Sequence, residues 1–432
     1  MKNLGKNITR ASIGPYTIAL MKSFVRTLSQ TSARLAAKSK GGATSGAAAR
    51  PVYLGRPSNS LTSGIVGLAN VGKSTFFQAI TKSELGNPAN YPFATIDPEQ
   101  ARVVVESAKL NHLAALYGSQ KLVPTSLTVV DIAGLTRNAA RGEGLGNKFL
   151  SDIRQVDGIF QVVRGFRDDE IIHIEDNKVD PVRDLEIVAD ELMLKDMDFV
   201  ETGIEKAQKL RRKPGIDQNK VELECATLER ALELLYDGRK ISSSREWTAE
   251  QAEVLNSHNL LTAKPTVFLL NVNEQDFLSQ ENEFKSAVEE WVAEHSPGDE
   301  VVLFSGAYES ALVETAGEEE GTVGVSALPY ITDRMRSVLR LISFYTCGPL
   351  EARQWTVREG STAPEAAGVI HTDLQKTFVS AQVYKYSDLE KESAPLDEAR
   401  LKSKGRQLKA GKAYLVEDGD VLLVKAAAGK AR

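Results

Sequence analysis

The 432-residue chain is 42% hydrophobic and 26% charged, the balance of a globular protein with room for two or three domains. No apolar run is long enough to span a membrane, and the only two cysteines, Cys225 and Cys347, exclude a disulfide framework or a cysteine-rich zinc site. The formal net charge of −5 is unevenly spread. The body is too acidic to hold nucleic acid by bulk charge, so any such binding requires a local basic patch.

No acidic residue precedes Glu84, whereas Lys and Arg recur from Lys2 to Arg56. Around Met21, Phe24, Val25, Leu28 and Leu35 the apolar residues fall near one helical face, with Lys22, Arg26 and Arg34 interspersed. A basic, acid-free, Ser- and Ala-rich segment of this kind has the composition of a mitochondrial transit peptide; a disordered basic tail is the alternative. Residues 1–56 are therefore set apart from the folded body. The expected location is the mitochondrial matrix, with the cytoplasm as the alternative.

Short apolar runs then recur at 64–66, 102–105, 127–130, 159–163, 266–270 and 301–304. Continuous runs of this length suit strands buried on both faces, and helical segments between them predict a mainly parallel α/β sheet. The first run leads into Gly67-Leu68-Ala69-Asn70-Val71-Gly72-Lys73-Ser74, a P-loop pattern, followed by the helix-like Thr75–Ile80. Glycines let the backbone amides curl around phosphates, and the helix N-terminus adds partial positive charge. Lys73 is expected to reach the β- and γ-phosphates and the Ser74 hydroxyl to bind Mg²⁺. Thr95 is a second candidate for the metal. Asp131 ends the strand 127–130 opposite the P-loop, where it can hold Mg²⁺ through water, and Gly134 can turn its amide toward the γ-phosphate. Leu135 stands where a glutamine would orient the attacking water. Arg137, Arg141, Glu143 and Asn147 follow as possible substitutes.

Between 184 and 262 the pattern changes. Met193, Met197, Val200, Ile204 and Ala207 form one heptad-like stripe, and Val221, Cys225, Leu228, Leu232 and Leu235 another. With the turn at Arg211–Gly215 between them, they predict an antiparallel helical hairpin inserted into the α/β domain. After the strand 266–270 comes Asn271-Val272-Asn273-Glu274, where GTPases usually carry N-K-x-D. Val272 replaces the Lys and Glu274 the Asp that pairs with guanine, which favours adenine. Ser305-Gly306-Ala307 fits the loop that closes over the base. From 343 a short, β-rich region broken by Gly and Pro (355–357, 377–383, 414–416, 421–424) predicts a small α+β domain. Arg400, Lys402, Lys404, Arg406, Lys409 and Lys412 form the local basic patch, a candidate RNA contact or a solvated face.

Residues 64–75, Asn90–Pro98, Val130–Leu135, Gly142–Asn147, Val179–Asp184, Asn271–Glu274, Trp355–Arg358, Ala366–Asp373 and Glu417–Asp420 together closely resemble the Obg-like ATPase (YchF) family. The resemblance implies a P-loop, GTPase-like domain over 61–341 with the hairpin at 184–262 inserted, and a C-terminal β-grasp-like TGS domain over 343–426. It implies hydrolysis of ATP in preference to GTP, with Asn70, Val71, Gly72, Lys73, Ser74 and Thr75 on the phosphates, Ser74, Thr95 and Asp131 at the metal, and Asn271, Val272, Glu274 and Ser305 around the base. It also implies a switch linked to the ribosome. Many members carry a histidine after D-x-x-G; Asn138-Ala139-Ala140-Arg141 has none, so the expected hydrolysis is slow or partner-dependent. A GTP-dependent assembly factor and a nucleotide-gated RNA- or ribosome-binding module are the alternatives.

Overall fold

The computed structural model describes residues 52–82, 95–97, 100–132, 145–168, 178–211, 213–244, 246–315 and 325–427, with backbone alone at 82, 95–97, 145–148 and 314–315. The first part of the chain contains β1 (Thr62–Val66), α1 (Lys73–Lys82), β2 (Thr95–Asp97), β3 (Gln100–Val104), α2 (Ala108–Tyr117), β4 (Lys121–Val123), β5 (Ser126–Asp131), α3 (Leu145–Gln155) and β6 (Gly158–Arg164). Then come α4 (Pro181–Leu210), α5 (Gln218–Tyr236), α6 (Ala249–His258), β7 (Thr266–Asn271), α7 (Glu274–Ser279), α8 (Lys285–His295), β8 (Glu300–Phe304), α9 (Gly306–Thr315) and α10 (Leu328–Val338). The last part holds β9 (Leu341–Cys347), β10 (Glu351–Arg358), α11 (Ala363–Ile370), α12 (Thr372–Lys376), β11 (Phe378–Lys385), α13 (Tyr386–Leu389), α14 (Glu398–Ser403), β12 (Leu408–Ala410) and β13 (Asp420–Ala426).

The first sheet has the order β2-β3-β5-β1-β6-β7-β8. From β5 to β8 its neighbours are parallel, and β2 and β3 form an antiparallel edge. Every residue of β6 and β7 is buried, which is why these strands read as mainly apolar runs despite Gln161. The Phe76 ring on α1 meets Phe160 and Phe304 edge-on, at centroid distances of 5.5 and 5.2 Å, and so seats the P-loop helix on the sheet. The loops that follow β1, β5, β6, β7 and β8 all leave from strand carboxyl ends, where open α/β sheets form their ligand crevice.

The insertion has three helices, one more than the hairpin expected from the two stripes. Asp180 caps α4, accepting from the Arg183 amide at 3.2 Å, and Pro181 opens the helix. A Cβ on Gly203 would stand 3.0 Å from Leu228, so its absence lets α4 and α5 approach closely. The third helix, α6, starts on a Thr248–Gln251 capping box and, with Trp247, closes the cluster around Val200, Leu228 and Leu235. Its apolar positions, Ala252 and Leu255, are too sparse to form a stripe in the sequence.

The second sheet has the order β12-β11-β13-β9-β10-β4, with α11 packed on it. It departs from the sequence expectation in three ways. Residues 414–416 do not form a strand; Leu415 makes only an isolated bridge to Thr362. The sheet starts at Leu341 rather than 343. It also recruits β4 from the first domain's sequence, pairing Lys121–Val123 with Glu351–Arg353. Helix α2, capped by Ser107 and closed by Gly118 in the left-handed region, buries Leu110, Leu113 and Leu116 against Tyr345, Tyr384 and Val421. A three-residue strand carries too little periodicity to be read from sequence.

The expected leader boundary at 56 is also corrected, because residues 52–56 belong to the folded body. The Arg56 guanidinium donates to both carboxylate oxygens of the nearly buried Asp157, at 2.7 and 2.5 Å. Tyr53 donates to Glu359 at 3.0 Å, and the Gly55 amide to Asn256 at 2.6 Å.

The insertion is rooted by Asp196 on α4, which is fully buried. It accepts from the Leu261 amide at 2.8 Å and from the amide and hydroxyl of Thr262, both at 2.7 Å. Burial raises its pKa to about 6 against these bonds. Asp196→Ala would leave two buried amides unpaired, at ~1–3 kcal/mol each. The expected loss of stability is about 3 kcal/mol, read as a fall in the urea midpoint at unchanged slope; a loss under ~1 kcal/mol would contradict this anchoring.

Candidate nucleotide-binding site

The loop Gly67–Ser74 curls between β1 and α1 under steric constraints from two neighbouring strands. Gly67 takes φ +155, where a Cβ would lie 2.4 Å from the Val162 carbonyl oxygen. Gly72 takes φ +101, where a Cβ would lie 2.1 Å from Asn271 Nδ2. Only glycine fits either place. Asn70, a residue type that tolerates the left-handed region, takes φ 61.

Lys73 is only 8% exposed. Its ammonium donates to the Leu68 carbonyl at 2.5 Å. Burial lowers its pKa to about 8, with Asp131 pulling the other way. Ser74 and Thr75 are exposed at the start of α1, and Val71 is buried. The Ser74 hydroxyl donates to Asp131 Oδ2 at 3.4 Å, so a hydroxyl and a carboxylate from different elements face one point. The Thr95 backbone lies in β2; its side chain, and all of Gly134, Leu135, Arg137, Arg141 and Glu143, lie outside the described residues, as does the Asn147 side chain.

Asn271 is buried and acts as a strut. Its Nδ2 donates to the Val71 carbonyl at 3.0 Å, and its Oδ1 accepts from the Gly306 amide at 3.0 Å. Val272 is 2% exposed and packs in the core cluster with Phe277 and Tyr308, leaving one edge on the cleft. Glu274 is exposed in the first turn of α7, whose cap is Asn273. Ser305 does not reach the cleft. It is fully buried, and its hydroxyl accepts from the Tyr308 amide at 3.4 Å, as a residue preceding a helix does. Gly306 and Ala307 line the cleft in its place.

Asn70, Gly72, Lys73, Ser74 and Thr75, the segment Asn271–Glu274, and Gly306 and Ala307 line a cleft of about 640 Å³. Its remaining wall is Phe166, Arg167 and Asp168, which the sequence reading missed. They follow β6 without any recognisable pattern. The one available signal was Arg164, a cation closing an otherwise apolar strand.

Family comparison matches residues 62–201 to a model described as "50S ribosome-binding GTPase". It matches residues 341–427 to the YchF-type GTPase C-terminal model, described as "Protein of unknown function (DUF933)". An Obg-like ATPase homolog of Saccharomyces cerevisiae is 54% identical over 394 residues, covering 87% of this chain and 97% of its own. Human Obg-like ATPase 1 is 42% identical, with 87% and 94% covered. The solved structure of the Schizosaccharomyces pombe YchF GTPase superposes with a TM-score of 0.78 at 45% identity, covering 87% of this chain and 100% of that one. Identity of this degree over nearly the whole described body, on a fold that supplies the P-loop crevice residue by residue, means that the chain belongs to the Obg-like ATPase (YchF) family of P-loop nucleotide-binding proteins.

Proposed function

We propose that the chain binds ATP with Mg²⁺ in this cleft and cleaves the γ-phosphate to give ADP and phosphate. The observation that carries the reading is a P-loop whose buried Lys73 and exposed Ser74 line a cleft of about 640 Å³, with the Ser74 hydroxyl 3.4 Å from Asp131 Oδ2. A hydroxyl and a carboxylate are hard oxygen donors suited to Mg²⁺, which keeps several waters and takes further oxygens from phosphates. Ser74 and Asp131 would hold the ion, with Thr95 completing the set; bound there, it would neutralise charge developing on the phosphate oxygens.

The chain's own contribution is positioning and charge. The P-loop amides and Lys73 would fix the β- and γ-phosphates; Gly134, assigned to the γ-phosphate from sequence, lies outside the described residues. Leu135 cannot orient water, so turnover is slow or needs a partner. At the other end Phe166 offers an aromatic face to the base. Glu274, one methylene longer than the Asp that pairs with guanine, leaves guanine's donors without a matched acceptor. Adenine has no such donors to lose. The competing reading, a guanine nucleotide, draws on the match to the GTPase family model and on the fission-yeast YchF GTPase structure.

A ribosome or RNA link has weaker support. In the basic patch Arg400 and Lys404 pair with Glu392 at 3.3 and 3.6 Å, and Arg406 pairs with Asp388 at 2.8 Å. Lys402, Lys409 and Lys412 remain as exposed cations on that edge of the second sheet.

Calorimetry is expected to give ATP a Kd at least ~10-fold below that of GTP, and Lys73→Ala is expected to weaken ATP by ~10-fold or more. GTP binding as tightly as ATP would establish the guanine reading instead.

The Lys73 ammonium has a sign of its own. Burial lowers its pKa to about 8, and phosphate binding favours the charged form. Binding therefore takes up protons at and above that pH, and affinity falls as pH rises through it. Titrations in two buffers of different ionisation heat measure the uptake; identical apparent heats at pH 8.5 would refute it.

The leader is proposed to direct the protein to mitochondria, and since residues 52–56 are folded, it comprises 1–51. Those residues fused to a fluorescent reporter are expected to deliver it there; a diffuse cytosolic signal would refute the targeting.

A further inference from the structure

Arg164 ends β6 and is 1% exposed. A guanidinium stays charged in a protein, so its burial needs both hydrogen-bond acceptors and a counter-charge. Both are present. Its Nε donates to the Phe166 carbonyl at 3.1 Å, and one terminal nitrogen donates to the Asp168 carbonyl at 2.8 Å. The guanidinium carbon also lies 4.7 Å from the Phe166 ring centroid, a cation–π contact. The counter-charge comes from Asp168 and from Asp184, itself buried in the first turn of α4.

The fork therefore grips the turn that forms the third wall of the cleft. Other bonds to this turn hold its two ends. The Gly165 amide donates to the Asn271 carbonyl at 2.7 Å, and the Asn282 amide group donates to the Gly165 carbonyl at 3.0 Å. On the solvent side Arg167 makes a two-pronged pair with Glu283 at 2.8 and 2.9 Å. Arg164 binds the carbonyls of Phe166 and Asp168 together from the inside. The turn meets the P-loop through the Gly165–Asn271 bond, because the Asn271 side chain bonds the Val71 carbonyl; the Arg164 fork bonds the turn itself.

We infer that Arg164 is a positioning residue for the nucleoside half of the ligand: it sets the turn that presents Phe166 to the cleft, and so controls affinity for the base and sugar independently of the phosphates. This rests on the nucleotide reading above.

The test uses the full chain carrying Arg164→Lys, which keeps the charge and loses the fork. Binding of Mg–ATP is compared with binding of Mg–tripolyphosphate, which has the phosphates without the nucleoside. The expected result is an ATP Kd raised ~10-fold with the tripolyphosphate Kd within ~2-fold of wild type, and a raised KM for ATP at unchanged kcat. Unchanged ATP affinity overturns the inference, and so does an equal loss for both probes, which marks a merely structural role. If thermal melting shows the variant unfolded, hydrogen exchange on the wild type decides. ATP is expected to protect the amides of residues 165–168 beyond the protection given by tripolyphosphate, and equal protection overturns the inference. A wild-type protein that binds neither probe overturns the nucleotide reading itself, an outcome distinct from the failure of Arg164 alone.

Discussion

One buried residue, Asn271, connects the loops on which the cleft depends. Its side chain bonds the P-loop through the Val71 carbonyl and the β8–α9 loop through the Gly306 amide, and its main-chain carbonyl bonds Gly165 after β6. Three loops from distant parts of the chain are thereby referenced to the end of one central strand. The constraint runs both ways. Because the carboxamide stands where a Gly72 side chain would go, the phosphate loop can close only on glycine, and with no Cβ on Gly306 the Thr75 methyl can sit beside it. The geometry at the closed end is thus fixed by packing before any ligand arrives, which is the condition for efficient electrostatic catalysis.

The parts of this site that use side chains at fixed spacing were legible in the sequence. Lys73 and Ser74 are bound to a loop pattern, and Asp131 to the end of a strand, so each could be assigned from its neighbours. The parts built on backbone were not. The wall Phe166–Asp168 is held through carbonyl oxygens, which every residue type possesses, and its organiser Arg164 looks in sequence like a strand-ending charge. Ser305 failed for a related reason: position in the loop was right, but a residue just before a helix turns its hydroxyl to the helix amides, away from the ligand. In the second sheet β9 and β13 lie parallel as central neighbours while β4 arrives from more than two hundred residues away, and such long-range pairing leaves no local trace.

The same applies at the N-terminal side. The residues from Val52 to Thr62 form a strap over three parts of the molecule. Asp157 receives Arg56 and also the Thr62 amide at 2.8 Å. Asn59 accepts from the Arg358 amide at 2.9 Å, and Arg358 in turn donates to the Arg56 carbonyl at 3.1 Å. One short stretch thus contacts the P-loop domain, the α6 helix of the insertion and the second sheet. Composition alone placed it with the basic leader, because a single Arg among small residues shows nothing of the carboxylate that it will meet.

The route of the chain between Thr95 and Asp131 has a consequence for how the molecule can be divided. After β3 the chain leaves the first sheet, lays α2 and β4 on the second, and returns as β5. Lys109 meets Asp418 at 2.6 Å, Ser107 meets the Tyr345 hydroxyl at 2.9 Å and Thr125 meets Thr356 at 2.9 Å along this excursion. The region after 340 is therefore not a detachable tail. A fragment ending there would strip Leu110, Leu113 and Leu116 of their cover and leave β4 without a sheet, in the very segment that joins the two proposed metal-side residues. The smallest autonomous unit of this fold runs through β13, and what resembles a linear series of modules in sequence is, in topology, an interlock.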